Sequence, residues 1–211
     1  VKLLARLYEP DSGRITIDGL DLADMAPEAW QKHIAAVFQD FVCFELTAHD
    51  NVAFGALHAY DNRAGVEHAA REAGAMPVIG RLANGWDTML SRQFSEGTQL
   101  SGGEWQRLAL ARALFGIANG ADVLVLDEPT ASLDVRGEAE VYRRFLELTR
   151  GATTIVISHR FSTVRQADRI VVIEQGRLLE DGTHSELLAR GGRYATMYRL
   201  QASRFEEQGD R

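Results

Sequence analysis

The chain is poor in lysine, cysteine and long apolar runs, and each shortage excludes something. Only Lys2 and Lys32 stand among its 23 basic residues. A phosphate-binding P-loop, G-x-x-x-x-G-K-[ST], needs a lysine with glycines ahead of it. Lys2 has one residue before it, and Lys32 comes after "PEAWQ", so the 211 residues contain no such loop. The single cysteine, Cys43, excludes an internal disulfide, which suits a reducing compartment. No apolar stretch reaches the length of a membrane-spanning helix; the longest compact ones are "VLVL" and "IVVI". No basic run stands out and the net charge is −7, which argues against a nucleic-acid surface. No signal peptide is visible. The sequence opens on Val1 rather than Met, in a helix-like stretch, and is expected to be cut from something longer.

What is present is ordinary globular material, 45% hydrophobic and 25% charged, enough for one domain with a subdomain. "VKLLARLY" reads as the tail of a helix stopped by "EPDSG", and "RITIDG" as a short strand ending in a turn. "APEAWQKH" gives a helical turn or two, and "IAAVFQD" (34–40) an apolar strand with a polar end. From Phe41 to Phe115 the pattern is mainly helical, broken at "GWD" and "SEGTQLSGG". "ADVLVLDEP" and "ATTIVISH" read as buried strands, with a helix over 134–150 between them. "RIVVIEQGRLLEDG" is a hairpin turning at Gln175–Gly176, and the polar end "RFEEQGDR" is expected to fray. Buried apolar strands alternating with helices imply an α/β fold with a parallel sheet. The helical block, 41–115, reads as a subdomain inserted into a core of 1–40 and 116–200, with 201–211 as a polar tail.

"QLSGGEWQRLALARALF" (99–115) poses the sharpest question. Trp105, Leu108, Ala111 and Phe115 recur at helical spacing. Ser101 and Glu104 have the spacing of a capping box. Yet Gly102 and Gly103 lie between them, each costing roughly 1 kcal/mol against alanine inside a helix. One reading is a tight turn. The other is that bare amides at a helix N-terminus, with the positive end of the dipole, form an anion site from which side chains have been cleared.

Asp127 and Glu128 close the strand "VLVLD", at the rim where open α/β sheets bind ligands. A carboxylate there can hold Mg²⁺, and its neighbour can deprotonate a water. The alternative is two acids leaving a strand for solvent. His159 stands at a similar strand end and can hydrogen-bond a phosphate, or serve structurally. Gln39 is a lone amide after a strand. His33, His49, His58, His68 and His184 show no ligand spacing.

The order of these features resembles the ATP-binding cassette (ABC) family. "LSGGEWQRLALARAL" is similar to the family's signature motif and helix, and "VLVLDEPTASLD" to its Walker B strand, catalytic glutamate and D-loop. "TTIVISHRFSTVRQADRIVVIEQGRLLEDG" is similar to its switch-histidine strand and the run after it in exporters. "VKLLARLYEPDSGRITIDG" is similar to the stretch just after the family's P-loop. The match spans nearly the whole chain. It implies a P-loop NTPase core with a parallel sheet, a small antiparallel β part and an inserted helical subdomain. It implies ATP and Mg²⁺ as cofactors, a second cassette as head-to-tail partner, a transmembrane domain, and a place at the cytoplasmic face of the membrane.

By the same resemblance Ser101, Gly102 and Gly103 grip a nucleotide held by the partner cassette. Asp127 holds Mg²⁺, with Gln39 sensing the metal and relaying to the membrane domain. Glu128 activates water, His159 contacts the terminal phosphate, and Asp134 links the two sites. Two departures stand out. Glu104 replaces the usual signature glutamine, and "SRQFSEGTQ" lacks the acidic pattern common ahead of it. The expected whole is an exporter ATPase, of which this chain is a C-terminal piece without its P-loop. Importer subunits and non-catalytic regulatory cassettes are the alternatives. A DNA-repair or chromosome-structure ATPase needs a long coiled-coil insertion, for which the 61 residues at 40–100 leave no room.

One consequence is measurable on the chain by itself. Three charge-assisted hydrogen bonds of the kind a P-loop supplies are worth roughly 4.5–9 kcal/mol if additive. Calorimetric titration of the 211-residue chain with Mg-ATP is therefore expected to show no micromolar binding. Micromolar binding would place the phosphate site elsewhere.

Overall fold

The computed structural model describes residues 1–40, 42–128 and 145–209. They divide into two units, Val1–Ile157 and Ser158–Arg211.

The first unit opens with hydrogen-bonded turns, not with the helix that "VKLLARLY" suggests. Ala5 and Leu7 donate to the carbonyls of Val1 and Lys2, but Arg6 takes a φ of 51°. A left-handed residue ends any right-handed helix. β1 (Thr16–Ile17) and β2 (Leu20–Asp21) then pair antiparallel. Their two-residue turn, Asp18–Gly19, has both φ angles positive, at 50° and 84°. That conformation matches the twist of the strands it joins, and Asp-Gly is the pair that best adopts it.

α1 (Pro27–Gln31) starts with proline, which needs no N–H acceptor at that position. β3 (Ile34–Val37) comes next. The segment after β3 is helical in pieces: α2 (Ala48–Ala53), α3 (Arg63–Glu72), α4 (Met76–Ile79) and α5 (Gly102–Ala118). α2 is capped reciprocally, Asp50 N–H to Thr47 Oγ1 and Thr47 N–H to Asp50 Oδ2, both at 3.1 Å. "GWD" breaks the pattern as expected, forming one 3₁₀ turn.

β3, β4 (Val123–Asp127) and β5 (Thr153–Ile157) form a parallel sheet in that order. Central β4 has four buried residues in succession, as its unbroken apolar run requires. β5 differs from its expected burial. It lies at the edge of the sheet, and Ile155 and Ile157 are 39% and 42% exposed. The helices α2 to α5 pack with this sheet into one core, centred on Leu108, Phe115, Leu124 and Leu126. Residues 145–148 are helical and bury Phe145 in the same core. The rest of the helix expected over 134–150 lies outside the described residues.

In the second unit, α6 (Phe161–Val164) precedes a hairpin of β6 (Ile170–Glu174) and β7 (Arg177–Gly182). The hairpin turns at Gln175–Gly176, as its sequence predicts. α7 (His184–Arg190) is capped by Thr183 and closed by Gly191. α8 (Arg193–Gly209) begins where the Glu180 carboxylate accepts the N–H groups of Arg193 and Tyr194, at 3.0 and 2.8 Å. Its length carries helix through most of the segment expected to fray. Leu187, Tyr194 and Ile170 form the unit's core.

Gly55 is structurally obligatory. A Cβ on Gly55 would sit 2.1 Å from the carbonyl oxygen of Arg112 in α5. Gly116 on the same helix faces the Gly55 carbonyl, so bare backbone meets bare backbone. Gly55→Ala is expected to lower unfolding free energy by about 1–3 kcal/mol, as overpacking does, measured by urea denaturation.

Candidate functional site

Three of the expected site residues share one rim. The parallel register pairs Val37 with Leu126, and Asp127 with Ile157. Gln39 therefore leaves β3 on the same side of the sheet on which Asp127 and Glu128 close β4. Gln39 is exposed, while Asp127 and Glu128 are half-buried. Glu128 has a φ of 46°, a left-handed conformation that a non-glycine residue adopts at a cost of roughly 1–2 kcal/mol. Its N–H donates to the carbonyl of Ile157 at 2.8 Å. The sheet's last ladder bond thus continues one residue past β4, and it holds Glu128 where the chain turns off. Strain fixed in this way is typical of positions where side-chain direction matters.

His159 stands two residues past β5 and belongs to the second unit. It is exposed, and its carbonyl accepts from Gln201 Nε2 at 3.4 Å. Asp134 lies outside the described residues.

Ser101, Gly102 and Gly103 stand apart from the rim. α5 carries Gly116 against Ala35 near the start of β3, and Ala109 beside Phe38 beyond its end. At 1.5 Å per residue, Ser101 lies roughly 12 Å further along the helix axis than Ala109. Ser101 is the N-cap of α5, with the capping box that its spacing predicts. The Glu104 carboxylate accepts the Ser101 N–H at 2.8 Å and the Ser101 hydroxyl at 2.9 Å. It also pairs with the guanidinium of Arg81. The Ser101 backbone bond, then the hydroxyl and Arg81, hold the Glu104 carboxyl below the usual range. The extra acid in this motif is thus drawn back against the cap and a cation.

Gly102 answers the question its sequence poses. Its φ is not left-handed, and among the described residues a Cβ built on it meets no atom within 4 Å. Neither backbone conformation nor crowding within the chain calls for glycine there. As first residues of a helix, Gly102 and Gly103 have N–H groups without an intrahelical acceptor. The glycine leaves an open approach to them.

Two arginines escaped sequence reasoning. Arg81 has no local signal, since its partner is 23 residues away. Arg112 carries a faint one, a charge inside an apolar run. Its Nε donates to the Asn51 carbonyl at 2.7 Å, Nη2 to Asn51 Oδ1 at 3.2 Å, and its guanidinium lies 4.6 Å over the Phe44 ring. Burial lowers its pKa to about 10. It lines an apolar groove of about 370 Å³ with Phe38, Val42, Phe44, Phe54 and Leu57, next to Gln39.

Among the described residues no three acidic, histidine or cysteine side chains cluster as a metal cage. A single half-buried carboxylate at Asp127, with the Gln39 amide on the adjacent strand, fits Mg²⁺ bound largely through phosphate and water.

A domain model described as "ABC transporter" matches residues 1–131. The chain belongs to the ABC transporter family. It is 44% identical over 201 residues to an ATP-dependent lipid A-core flippase of Chromohalobacter salexigens, covering 95% of this chain and 33% of that protein. It is 45% identical over 202 residues to the flippase of that name from Ralstonia nicotianae, covering 95% and 33%. A bacterial Atm1-family ABC exporter solved with ATP bound superposes with a TM-score of 0.84 at 41% identity, covering 95% of this chain and 34% of that one. The chain therefore spans about a third of the length of these relatives. The mixed α/β fold, with a parallel sheet and small antiparallel pairs, is that of the family's ATPase domain.

The open surroundings of Gly102 make a clean prediction. Gly102→Ala should leave the chain's unfolding free energy unchanged or raise it by up to about 1 kcal/mol of helix propensity. A drop measured by calorimetry would show that the fold itself requires the glycine.

Proposed function

We propose that this chain is the ATP-hydrolysing cassette of an exporter, acting at the cytoplasmic face of a membrane. It would pair head to tail with a second cassette and dock on a transmembrane domain. The observation that carries this reading is the register of β3 on β4, which gathers an amide, a half-buried carboxylate and a strained, fixed glutamate at one sheet rim. The likeness to flippases and to an exporter supports the direction of transport and makes a lipid-like substrate the natural first choice.

Each residue has a distinct task in this proposal. Bound Mg-ATP supplies the phosphoanhydride that is cleaved. Asp127 and Gln39 hold the metal side of the site. Glu128 accepts the proton of the attacking water at its carboxylate. His159 donates a hydrogen bond to the terminal phosphate, and Asp134 connects the two sites. Ser101, Gly102 and Gly103 donate N–H and hydroxyl bonds to the partner's nucleotide from the positive end of α5. Because this chain has no P-loop lysine, the cation facing those phosphates comes from residues other than these. The apolar groove beside Gln39 is the surface suited to the transmembrane domain.

In the protein containing this chain, Glu128→Gln is expected to retain ATP binding and lose hydrolysis by roughly 10²–10⁴-fold, measured as steady-state ATPase. Parental turnover would rule out the role given to Glu128. In that hydrolysis-dead background, Gly102→Asp should block ATP-driven pairing of cassettes, measured by spin-label distances between them, with nucleotide binding nearly intact. If binding is lost as well, the grip acts within one chain and the head-to-tail arrangement fails.

A further inference from the structure

We propose that Arg81 is a positioning residue for the Ser101 hydroxyl: it retains the Glu104 carboxylate when Ser101 turns to donate to an incoming phosphate. The inference rests on the phosphate grip proposed for Ser101–Gly103.

The argument starts from proton counting. A serine hydroxyl has one proton to donate. Here it goes to Glu104 Oε2, at 2.9 Å. Ser101 therefore cannot donate to a phosphate oxygen until it releases Glu104. The backbone bond from Ser101 N–H to the same oxygen, at 2.8 Å, can persist through that change. The carboxylate then keeps two partners, that N–H and Arg81.

Charge gives Arg81 its second task. A carboxylate at the third residue of α5 sits beside the amides that are to receive an anion. Unneutralised, it repels the phosphate and competes for the helix's positive end. Its side chain is only 18% exposed, so solvent screens it poorly, whereas Arg81 is 68% exposed and reaches it from outside. Arg81 does not approach as a loose surface arginine. Its Nε donates to the Pro77 carbonyl of α4 at 3.2 Å, which fixes the stem and aims the remaining guanidinium nitrogens. A glutamine at position 104 would carry no charge to neutralise, and Arg81 would then have no function in the grip.

This dependence defines the test. ATP-driven cassette pairing is followed by spin-label distances between the two cassettes in the protein containing this chain, with hydrolysis stopped by Glu128→Gln. Arg81→Gln is expected to raise the ATP concentration for half-maximal pairing roughly three- to tenfold, while in the Glu104→Gln background the same substitution changes it less than about twofold. Arg81→Lys, which keeps the charge, should lie nearer the parent. An equal effect of Arg81→Gln in both backgrounds, or none in either, overturns the role of Arg81. The Gly102→Asp control separates the two levels: pairing that survives it overturns the phosphate grip itself. Pairing that Gly102→Asp abolishes, together with additive Arg81 and Glu104 effects, overturns only the positioning role.

Discussion

Parallel pairing on both sides of β4 is the constraint on which the first unit depends. β4 is central, so both its ladders are filled and four of its five residues are buried. Antiparallel neighbours would send their polar ends to opposite rims. Parallel ones send every chain exit to one side, so Gln39, Asp127 and Glu128 meet without any contact between their side chains having to be specified. The apolar run that drives burial and the acids that end it are one sequence signal. Burial ends where the acids begin, and that point is the rim.

α5 serves two demands that pull apart. Its body is a core helix, with Trp105, Leu108, Ala111 and Phe115 all buried. Its N-terminus is open, and there the residue choice ignores packing. Two glycines that bear on this helix illustrate the difference. Gly55 is required because α5 lies against it, whereas a Cβ on Gly102 would meet none of the described residues within 4 Å. The capping box reconciles the demands, since it restores helix order at an end weakened by glycine. It does so with a carboxylate, which then has to be neutralised.

What was legible in the sequence was local. The capping box at Ser101, the turns at Asp18–Gly19 and Gln175–Gly176, and the core strand β4 are set by residues within a few positions of one another. The acid pair at the end of β4 was legible for the same reason. The misread segments depend on surroundings. "VKLLARLY" has a helical pattern, but Arg6 takes a left-handed φ and turns the chain instead. β5 has the composition of a buried strand, yet it takes the edge position, which composition does not encode. Arg81 and Arg112 find partners 23 and 61 residues away, and no spacing rule connects such pairs. The left-handed turn at Glu128 was invisible for a further reason. It arises from a backbone bond to the neighbouring strand, not from the preference of glutamate.

Arg112 binds the stretch after Gln39 to the helix that Ser101 begins, through the Val42 carbonyl, the Phe44 ring and the backbone and side-chain carbonyls of Asn51. A guanidinium that holds partners on both segments acts as a rivet: the residues that follow the sheet-rim amide and the helix that begins at the glycines share one half-buried positive charge.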